Sequence, residues 1–107
     1  MNDKYILEGQ TPVACPDLMV WEKWMQDAMR HVAKTEEGEV KVSTVFLGLD
    51  HAYAPNEPRK LFETMIFGGP HDGYQERCST WGEAEGMHRA ACELAFGASA
   101  AAPPSKE

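Results

Sequence analysis

The side chains of this sequence that could carry acid–base or metal chemistry are four histidines and a few acidic residues. His31, His51, His71 and His88 lie far apart, and no two of them stand at the short intervals typical of zinc ligands. His51 and His71 each follow a strand of one predicted hairpin, which separates them by a strand length. His88 falls near the apolar stripe of a predicted helix, which favours a hydrogen-bonded core residue over a ligand. We therefore predict no metal site.

Glu63 is the acidic residue with the most unusual position, because it lies in the middle of a predicted strand beside apolar side chains such as Met65. A buried carboxylate there could act as a general base or bind a ligand, and burial would raise its pKa unless a cation held it charged. An ion pair with Arg77 or Lys41 on a neighbouring strand is the interpretation that we favour.

Motifs for nucleophilic catalysis or nucleotide binding are absent from the sequence, which has no serine elbow, phosphate-binding loop or dinucleotide fingerprint. Cys15, Cys78 and Cys92 are odd in number and widely spaced, so we interpret them as partly buried thiols rather than as a disulfide framework. Trp24 lies at the edge of a helical stripe and is the tryptophan that we expect to be exposed. These observations predict no cofactor and no catalytic residue, and they argue against an enzyme.

Two helices are predicted from periodicity and capping. Apolar residues spaced by three and four from Leu18 to Val32 indicate one buried stripe, so we predict a helix that begins at Asp17 and ends at residues 34–38. A capping-box pattern, Thr-Trp-Gly-Glu, predicts a second helix over residues 81–96.

The strongest strand signals, Val40 to Leu49 and Leu61 to Phe67, predict a core antiparallel hairpin around a loop of residues 50–60. Shorter runs predict further strands at residues 5–7, 11–14 and 74–78. We therefore predict an α+β fold, with an antiparallel sheet of three to five strands and two helices in the order β-β-α-β-β-β-α. Residues 1–97 form the predicted single domain, and residues 98–107 a disordered tail.

Both strands of the core hairpin carry apolar side chains on each face. One face has Val42 and Phe46 with Ile66, and the other has Val45 with Met65. A sheet covered on one side only would alternate apolar and polar residues. Three explanations are open: one helix covers each face, the N-terminal segment wraps over the second face, or the second face is a binding or dimer surface.

The net charge of −7, from 17 acidic and 10 basic residues, argues against direct binding to nucleic acid or to an anionic membrane. An acidic surface suits a basic partner, and basic partners include proteins that normally bind DNA or RNA. The N-terminus lacks the basic and apolar regions of a signal peptide, so we predict a cytoplasmic protein.

Three segments, VSTVFLGLDH, LFETMIFGGP and STWGEAEGMH, resemble a group of small proteins encoded in bacteriophages and prophages. The resemblance spans roughly residues 17–96, from a helix with two tryptophans to the start of the last helix. It implies a phage origin, an accessory role and the cytoplasm of an infected bacterium, and it brings no catalytic residues.

The combined expectation is an acidic phage accessory protein that acts by binding and inhibits a host defence or nucleic-acid-handling protein, in the manner of an anti-CRISPR. We predict that an acidic rim surrounds an apolar centre in the contact. Alternatives are a module that sequesters a small molecule or nucleotide, with Trp24, His51 and Glu63 as first candidates, and a homodimeric phage protein of structural role. The predicted binding residues are Trp24, Glu36, Glu37, Glu39, Asp50, His51, Glu57 and Glu63.

Overall fold

The computed structural model describes residues 2–52, 54 and 56–97, and the predicted tail at residues 98–107 lies outside them. The described residues contain six strands and two helices, and the strands form two antiparallel sheets: the first two strands pair with each other, and the last four lie side by side in sequence order. The fold is therefore α+β, as predicted, with one strand more than the predicted order. The elements are β1 (Tyr5–Glu8), β2 (Thr11–Ala14), α1 (Leu18–Asp27), β3 (His31–Glu37), β4 (Val40–Phe46), β5 (Phe62–Phe67), β6 (Gln75–Cys78) and α2 (Trp81–Phe96).

The additional strand, β3, replaces the second half of the predicted first helix. Helix α1 ends at Asp27, and Ala28 already has extended backbone angles. A two-residue turn joins β3 to β4, and Gly38 occupies its first position with φ of +58°, as a tight hairpin turn requires. The prediction of a helix to residues 34–38 was wrong because Val32 fits a helical stripe and a strand equally well, and pairing with β4 decides in favour of the strand.

The core lies between the four-stranded sheet and α2. Helix α2 covers residues 81–96 as predicted, and its capping box is formed between Thr80 and Glu83. The core residues of the sheet are fully buried, and the helix packs a row of buried, mostly small side chains against them. The sheet contributes Val42, Thr44, Phe46, Phe62, Thr64 and Ile66, and the helix contributes Ala84, Met87, His88, Ala91 and Cys92.

Helix α1 and the β1–β2 hairpin pack at one end of this same core. The Trp21 indole N–H donates to the carbonyls of Tyr5 and Gly48, at 3.2 and 3.1 Å, and so joins α1 to β1 and to the chain beyond β4. Trp24 contacts the Phe46 ring edge-on, with the ring centroids 5.8 Å apart. Because Phe46 belongs to the α2 side of the sheet, α1 extends that side of the core.

The opposite face of the four-stranded sheet has no helix or strand packed across it among the described residues. Val45 and Met65 are half-buried there, and Phe67 is 41% exposed. The explanations in which a second helix or the N-terminal segment covers this face are therefore wrong. A binding or dimer surface on this face stays a prediction. We call it the open face.

Candidate functional site

Helix α1 carries three of the large apolar residues that are exposed among the described residues, and it begins where Asp17 accepts a hydrogen bond from the Val20 N–H. None of its residues is buried. Leu18, Met19 and Val20 are 50%, 79% and 54% exposed, and Met29, just beyond the helix, is 87% exposed. The sequence contained a signal for this surface that we missed: the apolar residues at 18–21 are consecutive, and a helix cannot point four successive side chains to one face.

A groove of about 480 Å³ runs along the outer side of α1 and is lined by Val20, Lys23, Trp24, Asp27 and Ala28. We call it the α1 groove. Trp24 is half-buried, since its ring packs against Phe46 and also lines the groove. The prediction that Trp24 is the exposed tryptophan was wrong, because Trp24 packs against the core and Trp21 and Trp81 are half-buried as well. The groove can accept an apolar side chain of a partner next to its own two charged residues, Lys23 and Asp27.

A second concave surface, of about 380 Å³, lies where the loop of residues 50–60 approaches β6. It is lined by His51, Lys60, Gln75, Glu76 and Arg77, and we call it the loop cleft. It shares no lining residue with the α1 groove. The three residues predicted to bind a small ligand, Trp24, His51 and Glu63, therefore do not share one concavity, because Trp24 lines the α1 groove and His51 lines the loop cleft.

Glu63 lies beside the loop cleft but is occupied by neighbours on β6. Its carboxylate accepts a hydrogen bond from the Arg77 Nε at 3.0 Å and another from the Gln75 amide, and its side chain is 13% exposed. The favoured interpretation of an ion pair with Arg77 is confirmed. The Glu63 carboxylate is therefore engaged by side chains of its own chain rather than presented to a ligand.

The predicted acidic residues fall at opposite ends of the sheet. Glu37 closes β3 and Glu39 lies in the turn that follows, whereas Asp50 and Glu57 belong to the loop at the far end of β4. Asp50 organises that loop, since its carboxylate accepts hydrogen bonds from the backbone N–H groups of residues 52 and 60. The structure therefore does not bring Asp50 and Glu57 together with the three glutamates around the β3–β4 turn, Glu36, Glu37 and Glu39, so the prediction of one acidic rim was wrong.

A buried polar network links α2 to three strands of the sheet. The two ring nitrogens of His88 lie 2.7 Å from the Thr44 hydroxyl and 2.9 Å from the Thr35 hydroxyl. Thr44 in turn contacts the Thr64 hydroxyl at 2.5 Å. Burial lowers the pKa of His88 below its ordinary value of 6.5, so the ring is neutral in the folded protein at pH 7. The prediction of a hydrogen-bonded core histidine is confirmed.

The cysteines are free thiols, in agreement with the sequence analysis. Burial raises the pKa of the Cys78 thiol to about 11, and burial also raises the pKa of Cys92. Thiols with raised pKa values are protonated at pH 7 and react slowly as nucleophiles. Among the described residues, no group of three His, Cys, Asp or Glu side chains could hold a metal ion. No described helix is long and apolar enough to cross a membrane.

No protein-family model matches this chain, and no curated protein or solved structure matches it either.

Proposed function

We propose that this protein acts by binding another protein through the α1 groove, with Met19 and Met29 as flanking contacts. The observation that carries the proposal is the exposure of these methionines, 79% and 87%, next to an apolar groove on a helix without a single buried residue. Large exposed apolar side chains around a groove mark contact sites in soluble proteins. Methionine suits such sites because its flexible, polarisable side chain adapts to different partner surfaces.

The partner is a basic protein of an infected bacterial host that normally binds nucleic acid, and the complex inhibits it as an anti-CRISPR would. Two observations support this part of the proposal. The net charge of −7 attracts a basic surface and steers association. The three segments that resemble phage proteins suggest an accessory role during infection.

Pull-down from a bacterial host lysate, followed by mass spectrometry, tests the proposal. The double variant Met19→Gln, Val20→Gln is expected to lose at least about tenfold in affinity, because burying each of these side chains stabilises a contact by about 1.5–3 kcal/mol. Leu94→Gln is the matched control, since Leu94 is 42% exposed on α2. A partner captured equally by the double variant and by wild type would refute the role of the groove.

Competition and infection assays separate the class of partner from the binding surface. Duplex DNA is expected to displace the protein from its partner if both occupy the same basic surface. Phage that carry the gene are expected to multiply better in hosts with active defences than phage that lack it. If DNA does not displace the protein and phage with and without the gene grow equally, the protein still binds a partner protein. The proposal that it inhibits a nucleic-acid-handling protein would then be rejected.

A small-ligand module remains the second candidate, and the loop cleft is the observation that favours it. The lining of the cleft contains His51, Lys60 and Arg77 with one acidic residue, Glu76. The cleft therefore suits a small molecule with an anionic group that Lys60 can bind while Arg77 stays paired with Glu63. Native mass spectrometry of protein incubated with cell extract is expected to show a bound mass if this function is correct. The variant Lys60→Gln should then lose that mass, while the double variant of the α1 groove should keep it.

A further inference from the structure

Strand β3 is a seven-residue edge strand, and no described strand pairs with its outer side. The outer side of an edge strand presents unpaired backbone N–H and C=O groups, which can bind a further strand. The strand that can bind this edge depends on which backbone groups of β3 point outward and on which side chains lie beside them.

The hydrogen-bonding direction of β4 fixes that of β3. The Phe46 N–H donates to the Arg30 carbonyl at 2.8 Å, toward β3, whereas the Leu47 N–H donates to the Leu61 carbonyl at 2.7 Å, away from β3. Successive residues of an antiparallel strand bond in alternate directions. The even-numbered residues of β4 therefore bond toward β3.

Two residues of β3 consequently direct their backbone groups outward. Thr35 lies opposite Val42, an even-numbered residue of β4, so the backbone of Thr35 bonds inward. Lys34 and Glu36, on either side of it, point their N–H and C=O groups away from the sheet. Their side chains share the open face, because these residues pair with Ser43 and Lys41 of β4.

Lys34 and Glu36 also carry charges that the folded chain leaves without a salt bridge among the described residues. Both side chains are exposed, and the salt bridges found among the described residues involve neither of them. The outer edge of β3 thus offers one positive and one negative side chain, two residues apart, next to unpaired backbone groups.

We propose that two copies of this protein pair antiparallel through β3 about a two-fold axis at Thr35. In this register Lys34 lies opposite Glu36 of the partner subunit, and Glu36 lies opposite Lys34 of the partner subunit. Each opposed pair exchanges both of its outward backbone hydrogen bonds and joins opposite charges on the open face. Thr35 faces Thr35 of the partner subunit, and its hydroxyl stays bonded to His88 within its own chain.

The charges select this register over its neighbours. An axis at Lys34 would place lysine opposite lysine, and an axis at Glu36 would place glutamate opposite glutamate, and like charges directly opposite are destabilising. The other edge strand, β6, has four residues, and an axis at Glu76 or at Arg77 gives like-charge pairs there as well. Arg77 is also already bound to Glu63. We therefore assign self-pairing to β3 rather than to β6. This dimer does not depend on the function proposed for the α1 groove.

Charge exchange tests the register directly, with sedimentation velocity over a wide range of protein concentration as the measurement. The wild-type chain is expected to form a dimer as its concentration rises. Lys34→Glu and Glu36→Lys each place like charges opposite one another at two equivalent positions, and each is expected to weaken the dimer about tenfold. The double variant Lys34→Glu, Glu36→Lys restores opposite charges and should recover the wild-type dimer. An equimolar mixture of the two single variants should form a mixed dimer, although each alone is monomeric.

Glu39→Lys is the matched control, because it makes the same change of charge in the turn outside the paired residues and should leave the dimer intact. Hydrogen exchange provides a second measurement: the Lys34 and Glu36 amides should gain protection as the dimer forms, whereas the Thr35 amide is protected already in the monomer. A chain that stays monomeric at all concentrations overturns the proposal. So does a dimer that persists in both single variants, or a mixture of single variants that does not associate.

Discussion

The pKa of His88 should make the stability of this protein depend on pH just below neutrality. The ring is 8% exposed, its bonded partners are hydroxyl groups, and burial lowers its pKa below the ordinary value of 6.5. In the unfolded chain the same ring takes up a proton near that ordinary value. Between the two pKa values the unfolded state therefore binds more protons than the folded state.

The sign and size of the effect follow from proton linkage. Stability rises with pH wherever the unfolded state binds more protons, so the contribution of His88 is fully present above pH 6.5 and decreases as the pH falls toward the lowered folded-state pKa. For one group the slope is at most about 1.4 kcal/mol per pH unit. Cys92, its neighbour on α2, has a raised pKa and stays protonated throughout this range, so it does not mask the effect.

Urea denaturation at a series of pH values measures this slope in wild type and in His88→Gln. Glutamine keeps a donor and an acceptor but cannot titrate, so its free energy of unfolding should vary less with pH below 6.5, by up to about 1.4 kcal/mol per unit. His71→Gln is the matched control, because it makes the same substitution at a histidine that is exposed in the β5–β6 connection. Equal slopes in wild type and His88→Gln would refute the assignment of His88 as a neutral core residue.

Three further predictions concern stability, each measured as a change in the free energy of unfolding. Gly68→Ala should cost about 1–3 kcal/mol more than Gly73→Ala. Both glycines have positive φ, but only a methyl group at position 68 would overlap the backbone of the β3–β4 turn; equal costs would contradict this. Trp21→Phe should cost about 1–2 kcal/mol more than Trp81→Phe, since the indole N–H of Trp21 donates to two carbonyls and the buried indole N–H of Trp81 has no partner among the described residues; the reverse order would be inconsistent with the structure. Thr80→Ala should destabilise by about 1 kcal/mol through loss of the α2 cap, and an unchanged midpoint would count against the capping box.

Much of the fold was predictable because its signals are local. The cap of α2, formed by Thr80 and Glu83, is determined by four adjacent residues, and the predicted helix matches the structure. The alternation of Val42, Thr44 and Phe46 identified one complete face of the core, although not which of the two faces α2 would cover. That choice depends on how distant elements pack, which periodicity does not encode.

The candidate site was less predictable, since it depends on which elements meet. The ion pair of Glu63 could be anticipated because cross-strand neighbours follow from strand order. The separation of Glu39 from Asp50 follows from the same order, because the residues flank opposite ends of β4. The function of Asp50 in closing its loop could not be anticipated, since it depends on the path of a loop that has no regular pattern.

The point at which α1 ends connects the wrong prediction to both proposed surfaces. A helix continued through Val32 would have placed that residue on the helical stripe and removed the edge strand altogether. Because the chain becomes extended at Ala28, Val32 instead packs from β3 against the core, and α1 keeps only ten residues. So short a helix makes few contacts with the sheet and leaves Met19 and Trp24 on or near the surface. The same early break that exposes the α1 groove therefore also produces the edge strand with Lys34 and Glu36 on its outer side.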